Sequence, residues 1–544
     1  MKRTRLRVFV LALLACGAAL ISAPARSAAC PARPKPGTVV NNPLDLYSTN
    51  GVLTAAFTLR SEMSNYLEEC YIYQSSSGPV EAPTLHLNPG DQLVLSLTNR
   101  LTYLPPPPPG PAPAQNSAMT DMANMPGMAQ SAAARNPCDG GTMVATSTNI
   151  HFHGLNIPPL CHQDEIIDTD IENTDPAFTY QFQVPTNDAP GLYWYHPHLH
   201  GETTIQVNGG AAGALIVGGM QDVKPQVARL PERVLIIRQQ FTNPNSWIAG
   251  PYQLTLNYQP AAAPLPVPII QMQPGATEFW RVANASSQAF LTLAVLFGDT
   301  AQQVEIIALD GIPVTTRSYV SSITLPPAGR AEFIVTAPAS GQAASFQHMG
   351  FDTGPIGNPN PAQELAVIQA TTSAAEPPAL PAPQSKALPP RPQRFAGLAA
   401  QTPTARRKIY FAEATNGSNG PTEFFITLDG QTPKLFSMSD PPAITTTVGA
   451  VEDWTVENRT GETHAFHIHQ IHFLFTAING EALANPDLRD TVVVPAWSGS
   501  GPYPSVTMRM DFRDPQIAGT FVFHCHVLDH EDAGMMAKIQ VNPN

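Results

Sequence analysis

Proline is the feature that most constrains this chain. There are 57 prolines among 544 residues, roughly double the usual share. Each proline inside a helix removes a backbone hydrogen bond and clashes with the preceding turn. Helical bundles, coiled coils and helical solenoids are therefore excluded, which leaves an all-β chain of short strands and many turns. Hydrophobic residues make up 43%, enough for real cores, so the chain as a whole is not disordered. Length alone allows three or four domains.

The first residues read as a targeting segment. Lys2, Arg3, Arg5 and Arg7 precede an apolar run from Val8 to Ile21, and small residues follow up to Ala29. This order predicts a signal peptide over 1–29 rather than a membrane anchor, because the run is short and ends at Pro24 and Arg26. The alternative is a lipoprotein, since Leu13-Leu14-Ala15-Cys16 loosely resembles a site at which Cys16 would be lipidated. Removing 1–29 takes five cations and no acids from a chain of formal net charge −13. So acidic a chain repels phosphate backbones, which argues against nucleic-acid binding. No other apolar stretch reaches membrane-spanning length. The expected location is periplasmic or extracellular.

Of six cysteines, Cys16 leaves with the signal and Cys525 lies between two histidines. Cys30, Cys70, Cys138 and Cys161 remain, an even number that predicts two disulfides in an oxidising compartment. Three connectivities are open. Cys30–Cys70 and Cys138–Cys161 are preferred because each closes a modest loop.

Strand-like alternation recurs in three blocks. In residues 81–100, Leu85, Leu87, Leu93, Leu95 and Leu97 alternate around Pro89-Gly90-Asp91, a strand–turn–strand pattern. Similar runs fill about 231–337 and again from about 405 to the end, with turns rich in Pro, Gly or Asp between them. Strands at this spacing predict sandwiches or barrels. The expected division is a first domain over 30–222, a second over 223–370, a proline-rich linker over 371–400 and a third domain over 401–544. The first domain carries an insertion at about 103–141 with five consecutive prolines and with Met119, Met122, Met125 and Met128 at every third position. Either this is a disordered loop, or its thioethers form a soft site for Cu(I).

The histidines carry the chemistry. Random placement of 15 histidines would give about 0.4 His-x-His pairs. The chain has five: His151/His153, His196/His198, His198/His200, His467/His469 and His524/His526. On a strand, residues two apart share a face and the residue between them faces the other way. Cys525 thus looks away from His524 and His526, and His464 has the opposite parity to His467 and His469. One face would gather His464, Cys525, His530 and Met535, the two imidazoles, thiolate and weak axial thioether of an electron-transfer copper. The other gathers eight imidazoles, too many for one metal but suited to three. Zinc prefers closed four-ligand sites and has no redox role. It gives no reason to join the two sets through adjacent residues.

The motifs HFHG (151–154), WYHPH (194–198), HAFHIH (464–469) and HCHVLDHEDAGMM (524–536), in this order, resemble the multicopper oxidases, the family of laccases, bilirubin oxidases and copper-efflux oxidases. PGDQLVLSLTNR, the ALDG stretch (308–311) and DWTVENRTGETHAFHIH extend the likeness. The resemblance implies three cupredoxin-like Greek-key domains, with a trinuclear copper cluster between the first and third. It implies four copper ions. His464, Cys525, His530 and Met535 would hold type 1. His151 and His467 would hold type 2, and His153, His196, His198, His469, His524 and His526 the type 3 pair. The activity implied is one-electron oxidation of four donor equivalents, coupled to reduction of O2 to water. Glu531 matches in position the acid that relays protons in bacterial members. The corresponding acid after the first HxHG falls on His162, with Asp164 the nearest carboxylate.

Pro197 stands where serine is often found. His200 and His472 fall outside the eight-ligand count and read as neighbours. The family's methionine-rich segment lies in the third domain of the copper-efflux oxidases, not in the first as here. The expected activity is therefore laccase-like, on phenols or aromatic amines. A Cu(I) oxidase for copper tolerance is the alternative, and a non-catalytic copper-binding cupredoxin protein is the reading from a different class.

Overall fold

A computed structural model describes residues 30–63, 67–102, 135–241, 252–261, 264–381, 394–415 and 422–544. The signal segment with Cys16, the four methionines at 119–128 and part of the proline-rich linker lie outside the described residues.

The described strands form six sheets, two for each of three successive stretches of chain. The first pair is built from strands between Asp45 and Val217, the second from strands between Glu232 and Ala370, and the third from strands between Ala405 and Asn542. No sheet mixes strands from different stretches. Each pair encloses its own apolar cluster, centred on residues such as Leu95, Phe152 and Tyr195 in the first unit. Trp280, Phe333 and Phe346 fill the second, and Trp454, Phe466 and Phe523 the third.

The alternating leucines act as their spacing demands. In the strand Gln92–Arg100, Leu93, Leu95 and Leu97 are fully buried while the residues between them are half-exposed, the pattern of a sheet with one face on a core. The strands either side of Pro89-Gly90-Asp91 do not pair with each other. Thr84–Leu87 joins one sheet of the first unit and Gln92–Arg100 the other. The turn carries the chain across the sandwich, with Gly90 at φ +93°.

Disulfides link Cys30 to Cys70 and Cys138 to Cys161, and Cys525 is the free cysteine among the described residues. No described helix is long and apolar enough to cross a membrane.

Candidate metal centre

Two neighbouring strands of the third unit organise the site. His464–Ile468 pairs antiparallel with Gly519–Cys525, matching Phe466 to Cys525 and His467 to His524. This register puts the cysteine on one side of the sheet and the flanking imidazoles on the other. After Cys525 the chain turns into the short helix Leu528–Asp532, which brings His530 back. Cys525 Sγ lies 3.5 Å from His464 Nδ1 and 3.8 Å from His530 Nδ1, and those two nitrogens are 3.2 Å apart. Cys525 N donates to Met535 O at 3.0 Å, and Met535 N to His530 O at 2.8 Å. The loop so closed buries Met535 in the same apolar cluster as Cys525. The outer ring nitrogens are held by other groups: His464 Nε2 lies 2.8 Å from Thr460 Oγ1, and His530 Nε2 lies 3.2 Å from Glu462 Oε1. The Phe424 ring stacks on His530, centroid to centroid 4.1 Å.

On the opposite side, the first and third units interleave their histidines. His151 stacks face to face on His469 at 3.8 Å, and His153 on His467 at 4.0 Å. The ring nitrogens of His198, His469 and His524 converge, with Nε2 atoms 3.1 to 3.2 Å apart. A second triad is His153, His196 and His526, and a third combines His151 and His467 with His153; in each group the ligand atoms lie within 4.8 Å of one another.

These donors fit metal ions. At a metal–imidazole bond of about 2.0 Å, tetrahedral ligand atoms stand about 3.3 Å apart, close to the spacing of the His198 triad. His151 Nε2, His153 Nδ1, His196 Nε2, His467 Nε2 and both nitrogens of His526 are buried with no hydrogen-bond partner. Each such orphan costs about 1–3 kcal/mol, and an ion would relieve several at once. Burial holds His151, His153, His467, His469 and His526 well below the usual histidine range, and lowers His196 to about 3 and His198 to about 4. They are thus neutral ligands at neutral pH. Burial also pushes the Cys525 thiol well above its ordinary range, so a thiolate there requires a bound cation.

Carboxylates orient the imidazoles. Asp164 Oδ1 and Oδ2 each lie 3.0 Å from His151 Nδ1, and Phe152 N donates to Oδ1 at 2.9 Å. His162 instead sits in a left-handed turn at φ +67° and stacks on Phe178, 4.6 Å away. Glu531 Oε2 is 3.0 Å from His524 Nδ1 and its Oε1 is 3.5 Å from His198 Nδ1, so one carboxylate spans both units. Burial pushes Glu531 up, but the imidazoles of His198 and His524 outweigh it and hold the carboxyl at about 2. His200 is half-buried beside Phe436, at 5.2 Å. His472 directs Nε2 to Asp310 O at 2.8 Å.

Asp490 is a site residue that sequence reasoning missed. It lies 3.2 Å from His153 Nε2, and Arg330 of the second unit donates to both its carboxylate oxygens. No His-x-His spacing points to it, because its partners come from distant parts of the chain.

Three β-sandwich units with a thiolate–imidazole site joined through adjacent residues to an imidazole cluster define a redox metalloprotein. Multicopper oxidase sequence profiles match residues 142–222, 233–372 and 408–544. The chain is 23% identical over 441 residues to a laccase of Bacillus subtilis, covering 72% of this chain and 79% of that protein. A shorter stretch of 108 residues is 34% identical to a multicopper oxidase of Staphylococcus aureus, 19% of this chain and 23% of that one. In structure it resembles a multicopper oxidase of Campylobacter jejuni described as a metallo-oxidase, with TM-score 0.66, 22% identity and coverage of 94% and 96% of the two chains. The chain belongs to the multicopper oxidase family. It has the family's cupredoxin-like fold, and it is an oxidoreductase with copper as its cofactor.

Proposed function

We propose that this is an exported four-copper oxidase that takes electrons from small reducing donors, phenols or aromatic amines foremost, and passes them to O2. The observation that carries the reading is the placement of Cys525 in one donor set while His524 and His526, its covalent neighbours, belong to two different imidazole triads. Copper, when bound, supplies one-electron acceptance at the thiolate and dioxygen reduction at the imidazole cluster.

The assignment follows the groupings. His464, Cys525, His530 and Met535 hold the type 1 ion. His153, His196 and His526 hold one type 3 ion, and His198, His469 and His524 the other. His151 and His467 hold type 2. Around them the chain's own groups do the rest. Asp164 keeps His151 protonated on Nδ1, so that Nε2 is free to bind. Glu531, ionised at neutral pH, fixes His198 and His524 and is placed to pass a proton on transiently through its carboxylate, with Thr203 Oγ1 3.4 Å from Oε1. The apolar cluster around Cys525 excludes water from the thiolate.

A second reading, oxidation of a metal ion such as Cu(I), draws on the surface beside His530. The recess there is polar and includes Gln239, Gln288, Asn358, Asn360 and Glu462, a lining suited to a small charged donor. The four methionines at 119–128 would serve the same reading.

Copper-loaded protein should show the intense blue absorption of a copper–thiolate bond and consume O2 with a phenolic donor. A colourless copper-loaded protein would refute the proposal. Comparing steady-state O2 uptake across phenols, aromatic amines and Cu(I) separates the two readings.

A further inference from the structure

Asp490 is where the three units meet. Its carboxylate comes from the third unit, at the end of the strand Glu481–Arg489. Arg330 of the second unit grips it as a fork, Nη1 donating to Oδ1 at 2.7 Å and Nη2 to Oδ2 at 2.6 Å. From the first unit, His153 Nε2 lies 3.2 Å from Oδ1. His472 Nε2 lies 3.3 Å from Oδ2, and Thr491 Oγ1 donates to Oδ1 at 3.0 Å. The backbone carbonyl of the same residue accepts from His467 Nδ1 at 2.8 Å. Asp490, Arg330, His153 and His467 are all buried.

The consequence is chemical. A carboxylate and a carbonyl can only accept, so the protons of these two rings are fixed: on Nε2 in His153 and on Nδ1 in His467. The nitrogens left with free lone pairs are His153 Nδ1 and His467 Nε2, and both are orphans facing the cluster. One residue therefore sets the binding tautomer of a ligand from each flanking unit, in opposite senses.

Arg330 is in turn held by its own surroundings. Its backbone N donates to Asp310 Oδ1 at 2.9 Å, and its Nε to Leu192 O at 3.2 Å. The glycine of HFHG makes room for the fork. A Cβ on Gly154 would fall 2.7 Å from Arg330 Nη2 and 2.8 Å from Asp490 Oδ2. A bidentate guanidinium–carboxylate pair is geometrically specific, and losing a partner that orients a metal-bound histidine typically costs about 10- to 100-fold in metal affinity or activity.

We propose that Asp490, clasped by Arg330, is a positioning residue for the trinuclear cluster, so that the second unit governs the cluster's geometry while contributing none of its assigned ligands. This rests on the copper assignment above.

The test uses copper-loaded Asp490→Asn and Arg330→Lys. Asparagine turns one of the two accepting oxygens into an NH2 that cannot accept, so the two-pronged clasp by Arg330 is lost, and lysine keeps the charge but loses the fork. Both should lose 10- to 100-fold in O2 consumption, with an altered type 2 electron paramagnetic resonance signal and a weakened near-ultraviolet band of the coupled copper pair. The blue type 1 absorption should persist. Glu278→Gln is the control, breaking the buried Arg233–Glu278 pair of the second unit without touching the cluster. Native cluster spectra in both Asp490→Asn and Arg330→Lys would overturn the proposal. So would loss of blue and cluster signals together, in step with a fall in Tm like that of Glu278→Gln. If Asp490→Asn does not fold, Arg330→Lys decides by the same criteria. Wild-type protein without cluster signals would instead sink the copper assignment.

Discussion

Glu69 lies on the strand Leu67–Ser75, beneath the helix Thr203–Gly209 that follows the second histidine motif. The packing is close enough that a Cβ on Gly209 would come within 2.7 Å of Glu69 Cβ. The side chain is almost fully buried and Oε2 has no hydrogen-bond partner. Burial pushes this carboxyl up to about 8, with Glu202 adding to the rise. At neutral pH the folded chain therefore keeps a proton that an unfolded glutamate, with its ordinary value of 4.5, has already released. Because the folded value is the higher one, this group's stabilisation is complete below about pH 4.5. It falls by about 1.4 kcal/mol per pH unit as pH rises toward 8, a loss on the order of 3 kcal/mol by pH 7. Glu69→Gln removes the titration and keeps the shape. The stability gap between Glu69→Gln and wild type should thus widen steadily in the mutant's favour between about pH 5 and 8. Urea unfolding of both metal-free proteins across that range measures it, and the histidine titrations common to both cancel. A gap independent of pH would refute the reasoning.

Three further outcomes follow from the site. Cys525→Ser should abolish the blue absorption and donor-driven O2 uptake, read by visible spectroscopy and an oxygen electrode, because serine supplies no thiolate. Glu531→Gln should lower turnover by about 100-fold or more while leaving the blue absorption in place, since it touches His198 and His524 but none of the atoms converging on Cys525. Stripping copper with a chelator should lower Tm, because the buried ring nitrogens then lose their partner and folding loses the binding free energy; calorimetry of metal-free and reloaded protein reads the difference.

The ligands were legible in the sequence because strand geometry writes them locally. His151 and His153, or His524 and His526, share a face at a spacing of two, and Cys525 between them must face away. The site's positioning groups were harder to read. Asp490 meets His153 across 337 residues and Arg330 across 160, and no periodicity encodes such a contact. The ALDG stretch was visible as a familiar run, but its use was not: Asp310 receives the Arg330 backbone N–H and its carbonyl receives His472. The sequence marks Asp164 as a relay candidate only because it is the acid nearest the expected position, and nothing in it shows the contact with His151. The left-handed turn at His162 explains why the side chain two residues later is the one that reaches His151. The leucine alternation around Gly90 identified both strands, yet alternation alone does not say whether neighbouring strands share a sheet, and these two do not.

The Cys138–Cys161 bond encircles the HFHG motif. Its 23-residue span holds His151 and His153 inside a covalent ring that removes about 3 kcal/mol of unfolded-chain entropy, and it ends three residues before Asp164. This topology ties the chain's maturation to its surroundings. Where thiols stay reduced, the ring is open and the first ligand pair must be ordered against the full freedom of that segment. Where they oxidise, the segment that carries two of the eight cluster histidines is already confined before any ion arrives. With the disulfide closed, less chain freedom is left to be lost when His151 and His153 take up their places.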